Sequence, residues 1–318
     1  MQTSTRTLNT ADGAALFVYR WLPDTPAKAA VQIAHGLAEH AGRYARLAEA
    51  LTGAGYAVYA ADHRGHGRTA PTPADLGFFA KGEGWRRCLD DLWQVNRQIA
   101  AEHPGLPVVL IGHSMGSFMA QHFISEHGEA LAGVVLSGTD GKPSALASAG
   151  RLIARLERLR LGPRGRSALI HALAFGVFNK AFAPMRTPAD WLSRDPAEVD
   201  KYVADPFCGF VATTQNWIDL LDALPEIAKP DRQALIPKQL PIHIISGSAD
   251  QVSDGTKRLQ QLLAAYRAAG LERVTHRFYE GARHELFNET NRDEITRDLV
   301  LWLDGVIAAR AAPARRRA

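Results

Sequence analysis

A serine attacks an acyl carbonyl only when its hydroxyl is lifted clear of the backbone and a nearby base can take its proton. Gly112-His113-Ser114-Met115-Gly116 has the residues for the first requirement. Val108–Ile111 before it reads as a strand, and the apolar spacing after Ser114 reads as a helix over Met115–His127. A strand, a G-x-S-x-G turn and a helix make an elbow so tight that the positions two before and two after the serine must be small. The helix N-terminus adds a field that favours negative charge. Ser114 could instead cap the helix, a role serine fills well, but the flanking strand and the partners below favour a nucleophile.

The partner must be a neutral imidazole, steadied by a carboxylate. Of twelve histidines, His284 follows the last expected strand, Val274–Tyr279, in a loop before the final helix, and such loops gather catalytic side chains. His276 lies inside that strand, and His113 adjoins the serine and is expected to fix the elbow. Asp250 ends a strand-to-turn run, Ile244–Ala249, and precedes His284 as the order Ser, acid, His requires. Asp254 is expected to cap the next helix, which leaves Asp140, after the strand Gly133–Leu136, as the competing acid. The oxyanion formed on attack needs two preset donors, each worth about 3–4 kcal/mol. Met115 N–H supplies the first, and Leu37 N–H, in the loop after Ile33-Ala34-His35-Gly36, supplies the second.

Three types of element must position these groups. Strands are expected at Ala15–Trp21, Ala29–Ala34, Tyr56–Ala61, Pro107–Gly112, Gly133–Leu136, Pro241–Ser246 and Val274–Tyr279. Helices are expected at Arg43–Thr52, Gly84–Glu102, Met115–His127, Gly255–Ala269 and Asn291–Ala309. Strand alternating with helix predicts a mostly parallel sheet covered on both faces. The alternation stops between Asp140 and Leu240, where nine prolines punctuate a helical, irregular stretch. We expect a core over 1–139, a helical cap over 140–240, the rest of the core over 241–309, and a basic, disordered tail over 310–318. A cap inserted there would sit over the carboxyl ends of the strands.

Four blocks resemble the monoacylglycerol lipase and lysophospholipase branch of the α/β-hydrolases, the serine aminopeptidase S33-type enzymes. They are His35–Tyr44 (HGLAEHAGRY), Asp62–Thr69 (DHRGHGRT), Gly112–Gly116 and Arg283–Glu289 (RHELFNE). The cap resembles the family mainly in its place and in Asp205-Pro206. Ala38 stands where the family often has Gly, Thr69 where it has Ser, and Ser117 where it has Gly. The resemblance implies the α/β-hydrolase fold, a sheet of about eight strands, and hydrolysis of an ester carrying one fatty chain, such as a monoacylglycerol or lysophospholipid. An esterase for short or aromatic esters, an aminopeptidase-like amidase and a silent ligand-binding relative are the alternatives.

Other partners have less support. The formal charge of +4 rests on 37 basic against 33 acidic residues, and four of the basic ones, Arg310, Arg315, Arg316 and Arg317, lie in the tail. Without them 33 stand against 33, so no basic excess invites nucleic acid. Met1–Thr10 has no signal core and no run is long enough to span a bilayer, so a cytoplasmic protein is expected. Cys88 and Cys208 are expected to be reduced thiols. His35, His40, Asp62, His63 and His66 invite a metal reading, but no metal-binding spacing accompanies them, and no metal or organic cofactor is expected. In Leu146–Leu159 the apolar residues share one helical face and Arg151, Arg155 and Arg158 another, a pattern compatible with transient contact between the cap and a membrane surface.

Overall fold

The computed structural model describes residues 1–143 and 145–311, with side chains left aside at 145–147 and 311. Eight strands form one sheet: β1 (Gln2–Asn9), β2 (Ala15–Leu22), β3 (Ala29–Ala34), β4 (Tyr56–Ala61), β5 (Val108–His113), β6 (Gly133–Ser137), β7 (Ile242–Gly247) and β8 (Val274–Tyr279). Their order is β1-β2-β4-β3-β5-β6-β7-β8. Only β1 and β2 pair antiparallel to their neighbours; β3 through β8 run parallel. The expected α/β-hydrolase architecture is therefore present.

Helices between the strands cover both faces. They are α1 (Ala45–Gly53), α2 (Gly84–Glu102), α3 (Met115–His127) and, late in the chain, α10 (Lys257–Ala268) and α11 (Arg292–Ala311). Central strands alternate between two cores, as a period of two demands. Leu110, Val134, Leu136 and Ile244 pack with α2, α3 and α10. Val109, Ile111, Val135 and Ile245 pack with α1 and α11.

Between β6 and β7 the described chain forms α4 (Ala145–Leu161), α5 (Ala168–His171), a π-helical turn over Ala172–Gly176, α6 (Val177–Lys180), α7 (Pro196–Ala204), α8 (Thr214–Ile227) and α9 (Pro230–Ala234). Among the described residues its one internal cluster is small, built on Trp191, Leu192, Val199 and Tyr202. Trp217, Leu220 and Ile227 of α8 instead join the core beneath. The insertion is thus anchored to the sheet-and-helix body.

At three places the structure adds to the expectations. The polar segment Gln2–Asn9 is a strand, because an edge strand whose side chains stay mostly exposed needs no apolar pattern. Arg310 and Ala311 belong to α11 and not to a disordered tail; 312–318, with Arg315, Arg316 and Arg317, lie outside the described residues. On α4, Leu146 also lies outside the described side chains, while Leu152, Leu156 and Leu159 point outward, 62%, 57% and 82% exposed. Arg151 and Arg155 turn to Asp222 on α8 instead, because that carboxylate offers them a partner across the helix pair. Among the described residues no helix is long and apolar enough to cross a membrane.

Candidate active site

The chain after β3 moves outward to β4 and later returns to place β5 on the other side of β3, so the sheet order switches between β3 and β5. Loops leaving these neighbouring strands diverge and open a crevice. Ala34 at the end of β3 pairs with Gly112 at the end of β5, so the Leu37 loop and the Ser114 turn meet there.

Ser114 has φ 50° and ψ −121°, a left-handed backbone that a serine holds only under constraint. Its N–H donates to Ser137 O on β6 at 2.9 Å, and Ser117 N–H donates back to its carbonyl at 2.8 Å. A Cβ at Gly116 would strike Ala34 O, and one at Gly112 would strike Gly116 O. The two glycines therefore let β5 and α3 close on β3 and hold the serine at the apex.

His284 follows β8 and is buried, and its Nδ1 lies 3.0 Å from each oxygen of Asp250. Asp250, in the turn after β7, also accepts Val252 N–H at 2.9 Å. Burial works against a charged imidazole here, yet the Asp250 carboxylate, with Glu285 and Glu39 behind it, raises His284 above its ordinary range. Burial likewise opposes the Asp250 charge, but His284 and the Val252 amide hold its carboxyl below its usual value. His284 Nε2 is buried with no partner among the described residues, Ser114 Oγ included. His113 tilts against the same ring at 4.8 Å; burial and the neighbouring imidazole push it down to about 4, so it is neutral. Trp191 of the insertion covers the ring from another side at 4.9 Å.

The competing acids are otherwise occupied. Asp140 pairs with Arg258 at 2.9 Å and accepts Gly141 N–H at 2.7 Å; burial lifts it to about 6 against the pull of Arg258. Asp254 sits exposed at φ 52°, and the capping position of α10 belongs to Thr256, which makes no side-chain cap. The expected capping role of Asp254 is thus overturned, because the tight turn at Gly255 moves the helix start beyond it.

The N–H groups of Leu37 and Met115 have no acceptor among the described residues, and both residues line the same cavity as Ser114. The Leu37 loop is braced by charge. Glu39 accepts Gly36 N–H at 2.6 Å, the Tyr44 hydroxyl at 2.9 Å and Arg43 at 2.7 Å. Arg43 in turn grips Glu285, the residue after His284, through two bonds of 2.6 and 2.7 Å. A buried Glu39–Arg43–Glu285 bridge therefore ties the proposed oxyanion loop to the proposed base. The blocks carried these residues, but nothing in their spacing tells that they bond across 242 positions.

Four of the five polar residues that invited a metal reading, His35, Asp62, His63 and His66, act as a brace. His35 accepts His63 N–H at 2.9 Å and faces Gly36 O at 2.8 Å. Burial holds His35, His63 and His66 well below ordinary imidazole, the last two to about 3 and about 4, so all three are neutral. Asp62 accepts Ala41 N–H and Arg68 N–H at 2.8 Å each. Thr69 donates to Asp62 O and accepts Phe17 N–H at 2.8 Å each.

Ser114 opens into a cavity of about 530 Å³. Phe118, Ile153, Ile170, Leu173, Phe175, Phe178, Trp191, Trp217, Leu220 and Leu224 make most of its wall, and Asp140, Gln251, Asp254 and Arg258 make a polar end. Nearly all the apolar wall comes from the insertion, which is where the sequence was least informative.

Residues 25–291 match the family described as serine aminopeptidase, S33. The chain is 29% identical to the monoacylglycerol lipase of Mycolicibacterium smegmatis, covering 89% of this chain and 90% of that one. It is 30% identical to the human monoglyceride lipase, covering 96% and 90%. A thermostable carboxyl esterase from Bacillus coagulans, solved in complex with glycerol, superposes with a TM-score of 0.88 at 26% identity, covering 96% and 99%. With the strand order, the elbow and a family match over most of its length, this chain is a hydrolase belonging to the serine aminopeptidase S33 family of the α/β-hydrolases.

Proposed function

We propose that the protein is a serine carboxylic-ester hydrolase that cleaves monoacylglycerols, with Ser114 as nucleophile, His284 as base and Asp250 as its acid partner. The observation that carries this reading is the apolar cavity of about 530 Å³ that meets Ser114 at the strand switch point. A fatty chain buried there gains about 0.8 kcal/mol per methylene, and one channel takes one chain. The two lipases named above add support, as both are named for esters with a single acyl chain. A lysophospholipid shares that chain and is the second candidate ester.

Ser114 Oγ attacks the ester carbonyl while His284 Nε2 takes its proton, and the Leu37 and Met115 N–H groups receive the oxyanion. The free Nε2 accords with this, since catalytic hydrogen bonds are often long until substrate binds. Collapse breaks the ester C–O bond, and His284 passes the proton to the leaving glycerol. Water then attacks the acyl-enzyme by the same route, returning the proton to Ser114 and freeing the fatty acid. Asp250 holds the tautomer and stabilises each imidazolium. Residues 140–240 serve as the cap that shapes the acyl site.

The outward stripe Leu152, Leu156 and Leu159 suits contact with a lipid surface, since Gly150 and Ile153 of the same helix line the cavity. Hydrolysis of p-nitrophenyl esters from two to sixteen carbons tests the acyl site. We expect a maximum at medium or long chains; activity confined to the shortest esters would replace this reading with a small-ester esterase.

A further inference from the structure

His40 plays no part in the proposed reaction, yet it stands at the end of the Leu37 loop with two other metal-binding side chains. Its Nε2 lies 3.0 Å from Asp205 Oδ2. The Cys208 sulfur completes the group: one donor atom from each of the three lies within 4.8 Å of the others. The turn beneath them is built by backbone bonds. Phe207 N–H donates to Asp205 Oδ1 at 2.8 Å, Cys208 N–H donates to Asp205 O at 3.0 Å, and Gly209 N–H donates to Ala38 O at 2.9 Å. We propose that His40, Asp205 and Cys208 bind one zinc ion, which clips the Leu37 loop to the 205–209 turn of the insertion.

The donor set selects the metal. Thiolate, imidazole and carboxylate together suit zinc, whereas calcium and magnesium prefer oxygen alone. Ligands at about 2.0–2.1 Å from a tetrahedral zinc lie about 3.3 Å apart, so the His40–Asp205 spacing needs little change, and the sulfur, within 4.8 Å of both, must close to about 3.5 Å. Asp205 is 28% exposed and His40 13%, which gives the ion access and leaves a fourth position for water. The nearby cation, Arg43, is already matched by Glu39 and Glu285, so its charge does not repel the metal at full strength.

Protons balance simply. Zinc takes the Nε2 lone pair, so the ring proton moves to His40 Nδ1, which is buried without a partner among the described residues. The Cys208 thiol loses its proton to solvent as the metal–sulfur bond forms, so one proton is released per ion bound. Burial and Asp205 raise the free thiol above its ordinary value; the metal charge offsets that.

The test uses the full chain freed of metal with EDTA. Stoichiometric Co2+ should produce a thiolate-to-cobalt charge-transfer band, displaced by one equivalent of Zn2+. Loss of even an outer partner of a metal costs about 10–100-fold in affinity, so Cys208→Ser should abolish the band and weaken zinc binding by roughly 100-fold in calorimetry. Cys88→Ser and His284→Asn should leave both unchanged, and circular dichroism should show each variant folded. A band that never forms, that survives Cys208→Ser, or that follows Cys88 or His284 would overturn the site and leave His40–Asp205 a plain hydrogen-bonded clip.

Discussion

The strain at Ser114 and the pairing of His284 with Asp250 make separate demands on kinetics. Asp250→Asn preserves size but offers an amide where the imidazole needs an anion, so kcat should fall by about 10⁴, measured at saturating ester. The pH profile has a definite sign. His284 must be neutral to accept the proton, and its carboxylate neighbours raise its pKa above 6.5. Activity, read as kcat/KM, should therefore fall on acidification with a midpoint above 6.5; a midpoint below it would contradict the pairing. Ser114, His284 and Asp250 could be proposed from the sequence because each follows a strand in the required order. His40, Asp205 and Cys208 were not grouped, since 165 residues separate the histidine from the aspartate and only the fold joins them.

Elements decide whether those residues meet. Gly116→Ala would push a methyl group into Ala34 O, at the junction that brings β3, β5 and α3 together. Backbone cannot yield there as a side chain tip can, so we expect a loss of about 3 kcal/mol, read as a fall in Tm of about 5 °C. Arg43→Leu would strand Glu39 and Glu285 in the interior and should cost about 3–5 kcal/mol, measured by urea unfolding. The bounds of α2 and α3 were read to the residue: α2 is long with one buried stripe, and α3, buried almost all round, starts at the Gly112–Gly116 elbow. Periodicity failed on β1, whose edge position leaves little to bury. On α4 the apolar stripe stays outward, with Leu152, Leu156 and Leu159 in solvent, while Arg151 and Arg155 pair with Asp222.

At the scale of the whole molecule, a sheet common to many chemistries carries an insertion whose aromatic and aliphatic residues define the acyl site. The exposed leucines of α4 extend that apolar surface outward. Replacing Leu152, Leu156 and Leu159 with Asp should reduce co-sedimentation with phosphatidylcholine vesicles at least several-fold while leaving hydrolysis of a short soluble ester unchanged. Equal co-sedimentation would remove the surface contact from the account. The cap's interior could not be read from the sequence, because the cavity forms where α4, the π-turn and α8 converge and no local pattern records that. The measurement that tests the central claim most directly is fatty-acid release from monooleoylglycerol by the wild type and by Ser114→Ala. The account predicts turnover by the wild type and a loss of at least about 10³-fold in the variant. A wild type that leaves the ester intact, or a variant that cleaves it equally fast, would contradict it.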